Sequence, residues 1–335
     1  MSGSLTASQL AKYHQDGYLV IPDFFDPKPI LQHAKELIHS FDPNGHPMTK
    51  FSTGGEEGTK EDGKEHVGDR YFLESGDKIR YFLEEDSIGS NGMLNRSPDL
   101  CVNKCGHALH SLDPIFHQLT FSEKVQNLIR SLESFSIPQC LQSMVICKQP
   151  SIGGAVPPHN DSTFLYTSPP SATGLWFALE DCTTTNGCLS FIPGSHRWQD
   201  DSSKSNYTKP RPQNEKEEIR QKYGEPRGVN KRFVRSDPEN VDAGTGFETL
   251  SEQEEEEWDE KRASVEACKA GTLVLIHGSV MHKSEKNKSD KSRYIYTFHC
   301  IEGDSTKALY DSRNWLQPSK EMPFSELYNP PTLRA

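Results

Sequence analysis

The sequence predicts a mainly β domain with flanking helices, arranged as a barrel or sandwich, and two patterns carry that expectation. From Gln139 onward, short and mostly apolar runs recur at 141–148, 174–180, 188–192, 272–276 and 293–300, each bounded by Gly, Pro, Asn or Asp. Runs of five to eight residues between turn formers suit strands rather than helices. Helical periodicity is confined to the part of the chain before about residue 131. A chain of 335 residues can bury one substantial core, so residues 1–335 are expected to form a single domain.

Taken in order, Ser8-Gln9-Leu10 opens a helical pattern that Gly17 interrupts, and Tyr18-Leu19-Val20-Ile21 then reads as a strand ending at Pro22. A second helix is expected from about Pro27 to Ser40, with Ile30, Leu31, Ala34, Leu37 and Ile38 on one stripe. Residues 43–69 are Gly-rich and charged, too long for a simple connector, and are expected to act as a lid over the site. Apolar character returns between Tyr71 and Glu84, and a further helix is predicted over Ser122 to Ser131. Among the later strands, 200–230 carries Pro210, Pro212 and Pro226, many charges and little periodicity, which marks a surface insertion. Lys231 to Arg235 reads as ordered again.

Composition excludes several classes. The formal net charge is −11, which disfavours nucleic acid and anionic membranes as partners, because both require basic patches. No run approaches the roughly 18 apolar residues of a membrane span, and Met1 to Gln9 lacks the basic-then-apolar order of a secretory leader. The eight cysteines form no CxxC pair and read as reduced thiols. The chain ends Leu333-Arg334-Ala335, unlike a peroxisomal Ser-Lys-Leu signal, so a cytoplasmic location is expected, with the nucleus also compatible.

The chemistry-bearing constellation is His159-Asn160-Asp161, followed 121 residues after Asp161 by His282 and then by Arg293. Positions i and i+2 of a strand share a face, so His159 and Asp161 can offer an imidazole nitrogen and a carboxylate oxygen to one ion. A distant histidine completes a 2-His-1-carboxylate set, which leaves adjacent coordination positions open and suits non-haem Fe(II) in an oxygenase. Arg293, Ile295, Thr297 and His299 alternate onto one face. An arginine directed inward there needs an anion. Its guanidinium fork matches a carboxylate, to which the Ser284 hydroxyl can add a hydrogen bond.

Pro158-His159-Asn160-Asp161, Asn186-Gly187-Cys188-Leu189, Ile192-Pro193-Gly194-Ser195-His196 and His282-Lys283-Ser284 followed by Asn287 and Arg293 resemble the phytanoyl-CoA dioxygenase family. Gly106 to His110, Gln142-Ser143-Met144, Phe164 to Thr167 and Asn314 to Pro318 extend the resemblance over nearly the whole chain. It implies a double-stranded β-helix, a cupin-like jelly roll, that binds Fe(II) and 2-oxoglutarate and uses O₂ to hydroxylate a second substrate. Under it, His159, Asp161 and His282 are the metal ligands and catalytic residues. Arg293, Ser284, Lys104, Met144 and Trp176 fall at positions that touch 2-oxoglutarate.

Blander readings stand beside these. His277 also lies near the later strand run, but the family match falls on His282, and a hydrogen-bonding histidine at a strand end is unremarkable. His196 reads as a turn residue. Taken singly, Lys104 is a surface lysine, while Met144 and Trp176 are core. Lys78 and Arg80 suit an anionic substrate or a charged strand edge equally well. Asn160 replaces a glutamine common in the family, on the side facing away from the metal. Rival functions are a catalytically silent jelly roll binding 2-oxoglutarate or metal, and zinc hydrolysis, which lacks an evident general base and leaves Arg293 unexplained. The second substrate is not specified, because loops outside the iron site select it.

Overall fold

Strand alternation places apolar residues on both faces of one sheet, so that a separate core lies against each face. In the computed structural model, residues 3–48, 70–200, 228–250 and 257–334 are described. The insertion at 201–227 and the part of the expected lid at 49–69 lie outside them. The larger sheet has eight antiparallel strands. Its order runs Tyr18–Ile21, Leu273–His277, Thr173–Ala178, Arg293–Glu302, Pro138–Lys148, Val102–His107 and Ile79–Leu83, with Ser325–Glu326 also paired to Pro138–Lys148. The smaller sheet runs Ser264–Glu266, Leu189–Phe191, His282–Ser284 and Val156–His159.

The central strands of the larger sheet are buried along both faces. On the outer face, Leu175, Phe177, Leu273, Leu275, Tyr296 and Phe298 pack against Tyr13, Ala34, Ile38, Phe116, Val125 and Leu128. On the inner face, Tyr18, Trp176, Ala178, Val274 and Ile295 meet Leu189 and Phe191 of the smaller sheet. Tyr18 and Phe191 stack with ring centroids 4.0 Å apart, joining the two sheets.

Local signals explain where the helices start and stop. Thr6 and Gln9 form a capping box before Ala7–Asp16, and Gly17 ends that helix in the left-handed region at φ 82°. A Cβ at Gly17 would lie 2.5 Å from the His196 ring, so both conformation and space require glycine there. Pro27–His39 follows the Asp26 cap, and Glu123–Arg130 follows the Ser122 cap.

Alternation did not reveal the strand Val102–His107 or the helix Pro114–Thr120. Lys104 lies on that strand and is only 4% exposed, correcting the bland reading of a surface lysine. Lys78 and Arg80 are engaged locally, Lys78 with Asp77 and Arg80 with the Tyr71 carbonyl. No helix among the described residues is long and apolar enough to cross a membrane.

Phe177 is fully buried, with Phe25 and Phe298 at ring distances of 5.4 and 5.8 Å. Phe177→Ala is expected to lower unfolding free energy by about 3–5 kcal/mol in urea titrations. Val265→Ala, at a residue 54% exposed, should stay within about 0.5 kcal/mol of the parent.

Candidate metal centre

Two short strands of the smaller sheet bring the site together. His159 ends the edge strand Val156–His159 and pairs in register with His282, the first residue of His282–Ser284. Their rings lie 4.2 Å apart, centroid to centroid. Asp161 is not on the strand, contrary to the simple i, i+2 expectation. Asn160 is still extended at φ −124° and ψ 146°, and Asp161 opens a 3-10 turn, Asp161–Thr163. That one extended residue keeps His159 and Asp161 on the same side. Asn160 caps the turn by accepting from Thr163 N at 2.9 Å, which draws its side chain away from the histidines.

The donor atoms converge as a metal would require. Nδ1 of His159 donates to Pro157 O at 2.9 Å, and Nδ1 of His282 donates to Val280 O at 3.1 Å. With those protons placed on Nδ1, each Nε2 carries a bare lone pair. Both Nε2 atoms lie 3.7 Å from Asp161 Oδ1, and one ligand atom from each of the three residues falls within 4.8 Å of the others. Two neutral imidazoles and one carboxylate fit a divalent cation of the iron type. His282 and Asp161 are nearly enclosed, whereas 23% of the His159 side chain is exposed, so the site opens beside His159.

The electrostatics favour that donor set. Burial pushes the His159 imidazolium down to about 4, helped by His282 and opposed by Asp161, so the ring is neutral at pH 7. Burial alone would raise Asp161, but the neighbouring His299 and His282 rings outweigh it and hold the carboxyl well below its usual range.

The other expected residues occupy the inner faces around this centre. Arg293 is 2% exposed, with Nη1 donating to Gly187 O at 2.6 Å and its guanidinium 5.6 Å from the Trp176 ring. Its Nε is without a partner, and no carboxylate among the described residues pairs with it. Met144, Thr297 and Trp176 form one cross-strand row. Gly174 and His299 form a neighbouring row on the same face, and the ideal Cβ position of Gly174 lies 3.3 Å from Asp161 Oδ2. Lys104 is buried, its ammonium 5.2 and 5.1 Å from the Phe72 and Phe82 rings, and burial lowers its pKa strongly. Ser284 sits two residues after His282 and is 3% exposed. His277 stands apart from the triad, its ring 4.9 Å from His196 and its Nδ1 accepting from Ser279 N.

Sequence reasoning missed two neighbours. Lys148 lies directly across from Arg293 and donates to the Gly154 and Glu285 carbonyls at 2.6 Å and to Ser284 O at 3.2 Å. It thereby ties the loops bordering both ligand strands to the larger sheet. Only the pairing register reveals this. His299 was visible on the inner-facing alternation from Arg293, yet its proximity to Asp161, 3.2 Å between Nε2 and Oδ2, depends on tertiary structure.

The sequence profile of the phytanoyl-CoA dioxygenase family matches residues 13–295. Phytanoyl-CoA dioxygenase domain-containing protein 1 of Rattus norvegicus is 41% identical over 328 residues, covering 97% of this chain and 99% of its own. Phytanoyl-CoA dioxygenase of Arabidopsis thaliana is 39% identical over 323 residues, 96% of each chain. Among solved structures, EctD from S. alaskensis with 2-oxoglutarate and 5-hydroxyectoine superposes with a TM-score of 0.52 at 16% identity, covering 97% of this chain and 87% of that one. The non-heme alpha ketoglutarate dependent carbocyclase SnoK from nogalamycin biosynthesis gives 0.51 at 14% identity, covering 97% and 98%. The fold is therefore the jelly roll of these oxygenases, with two sheets that face each other without closing into a barrel.

His159, His110 and His277 are held neutral by burial, at about 4, 3 and 3 against an ordinary 6.5. The unfolded chain binds their protons first as pH falls, so their contribution to stability is present above about 6.5 and is lost toward 3. Urea midpoints of the metal-free protein at pH 7.5, 5.5 and 4.5 should fall in that order. A flat series would contradict the burial of these rings.

Proposed function

The chain belongs to the phytanoyl-CoA dioxygenase family, and from that premise we propose that it is an Fe(II)- and 2-oxoglutarate-dependent dioxygenase that hydroxylates a second substrate. The observation that carries this reading is the pairing of two kinds of site in one inter-sheet space. One is a facial set of bare donors at His159, Asp161 and His282; the other is a buried guanidinium at Arg293 without a carboxylate partner.

His159 and His282 would hold the iron through Nε2, and Asp161 through Oδ1. When bound, iron with 2-oxoglutarate and O₂ supplies the oxidising chemistry, in which the co-substrate loses CO₂ to become succinate and the second substrate gains a hydroxyl group. The protein's own part is to bind, orient and exclude water. Arg293 fixes the far carboxylate of 2-oxoglutarate by charge-assisted hydrogen bonds, and the Ser284 hydroxyl adds to that grip. The guanidinium lies beside Trp176, and Asp161 lies beside Gly174, two residues earlier on the same strand. One such step along an antiparallel strand is about 6.8 Å, the scale of a five-carbon diacid. Met144 and Trp176 wall that interval, and Lys104 is buried on the neighbouring strand. Ile295, Phe191 and Leu189 keep the surroundings dry, which strengthens each of these contacts.

The parent protein should form succinate from 2-oxoglutarate under O₂ only with added Fe(II), and His282→Ala should abolish that turnover. Absence of iron-dependent succinate in the parent across a panel of candidate substrates would overturn the assignment. Arg293→Met should raise the KM for 2-oxoglutarate by about 10- to 100-fold, since hydrogen bonds to charged groups contribute roughly 1.5–3 kcal/mol. Initial rates at varied co-substrate concentration measure this.

A further inference from the structure

The geometry points to His299 as the residue that orients Asp161 toward the metal, a positioning role that rests on the iron-site reading above. His299 projects from the inner face of the Arg293–Glu302 strand, and its Nε2 lies 3.2 Å from Asp161 Oδ2. The other carboxylate oxygen, Oδ1, faces His159 and His282. The two oxygens are thus divided, one toward the ligand set and one toward a third imidazole.

Three further observations support this assignment. Oδ2 is buried without an aligned hydrogen bond, and His299 Nε2 faces it at 3.2 Å. His299 pairs in register with Gly174, and a Cβ at Gly174 would sit 3.3 Å from both Asp161 Oδ2 and His299 Nε2. The absent side chain leaves the room in which the two groups meet. Finally, His299 Nδ1 is buried without a partner, on a strand whose other residues are all buried. A polar ring in that setting costs stability unless its other nitrogen does something useful. Donation from Nε2–H to Oδ2 places the negative charge of Asp161 and frees Oδ1 for the ion. The same contact would leave Asp161 one oxygen to offer an ion. Groups of this kind commonly change metal affinity by about 10–100-fold.

Mn(II) serves as the probe, with free ion counted by electron paramagnetic resonance, in the parent, His299→Leu, His299→Gln and Asp161→Asn. His299→Leu is expected to weaken Mn(II) binding about 10- to 100-fold. His299→Gln, whose amide can still donate to Oδ2, should recover most of the loss. Thermal unfolding of each metal-free protein reports whether the fold survives, and the Gln variant keeps the comparison usable if the Leu variant does not fold. Parent-like affinity in His299→Leu overturns the positioning role alone, as does an equal loss in both variants. Failure of the parent to bind Mn(II) overturns the iron-site reading and this inference with it.

Discussion

The larger sheet is buried on both faces, and the rest of the molecule follows from that constraint. One face of its central strands packs against helices, and the other must close over a second sheet too narrow to cover it with apolar side chains alone. The remaining inner positions carry Arg293, Thr297, His299, Met144 and Lys148. Buried polar groups persist only when something satisfies them. Lys148 finds backbone carbonyls, and Thr297 donates to Leu175 O at 3.1 Å. Arg293 Nε, Asp161 Oδ2 and His299 Nδ1 are left without partners, and such groups gathered in one space mark a place suited to a guest.

Charge is arranged with the same economy. Asp161 is surrounded by His159, His282 and His299, whose rings keep its carboxylate ionised in an enclosed setting. Arg293 and Lys148 stand opposite each other across two strands, an arrangement that is unfavourable for two isolated cations. Burial and the neighbouring Arg293 push the Lys148 ammonium down to about 6, with Glu84 acting in the opposite sense. An added carboxylate beside Arg293 would relieve that crowding.

Much of this was legible in the residues. Tyr18–Ile21 and Leu273–His277 announced themselves by apolar composition between turn formers, and Glu123–Arg130 falls inside the helix expected over Ser122 to Ser131. The strand Val102–His107 did not, since its Asn, Lys, Gly and His disguise a segment buried by tertiary packing. The cluster of His159, Asp161 and His282 was readable because His-x-Asp is local and His282 carried the family pattern. Its geometry differs in one respect: the strand stops at His159, and a capped turn delivers Asp161. Lys148 and the role argued for His299 depend on cross-strand register, which links residues more than a hundred positions apart and leaves no trace in local pattern.

The strand that carries His159 is the outermost of the smaller sheet, and two of its four residues are Pro157 and Pro158. Proline has no amide proton to offer a newcomer, so this border resists extension by a strand from another chain. The opening beside His159 is thereby protected from strand addition, and Pro157 also holds the His159 ring through its carbonyl. Replacing the two prolines with ordinary strand formers would create a sticky margin beside the candidate metal centre.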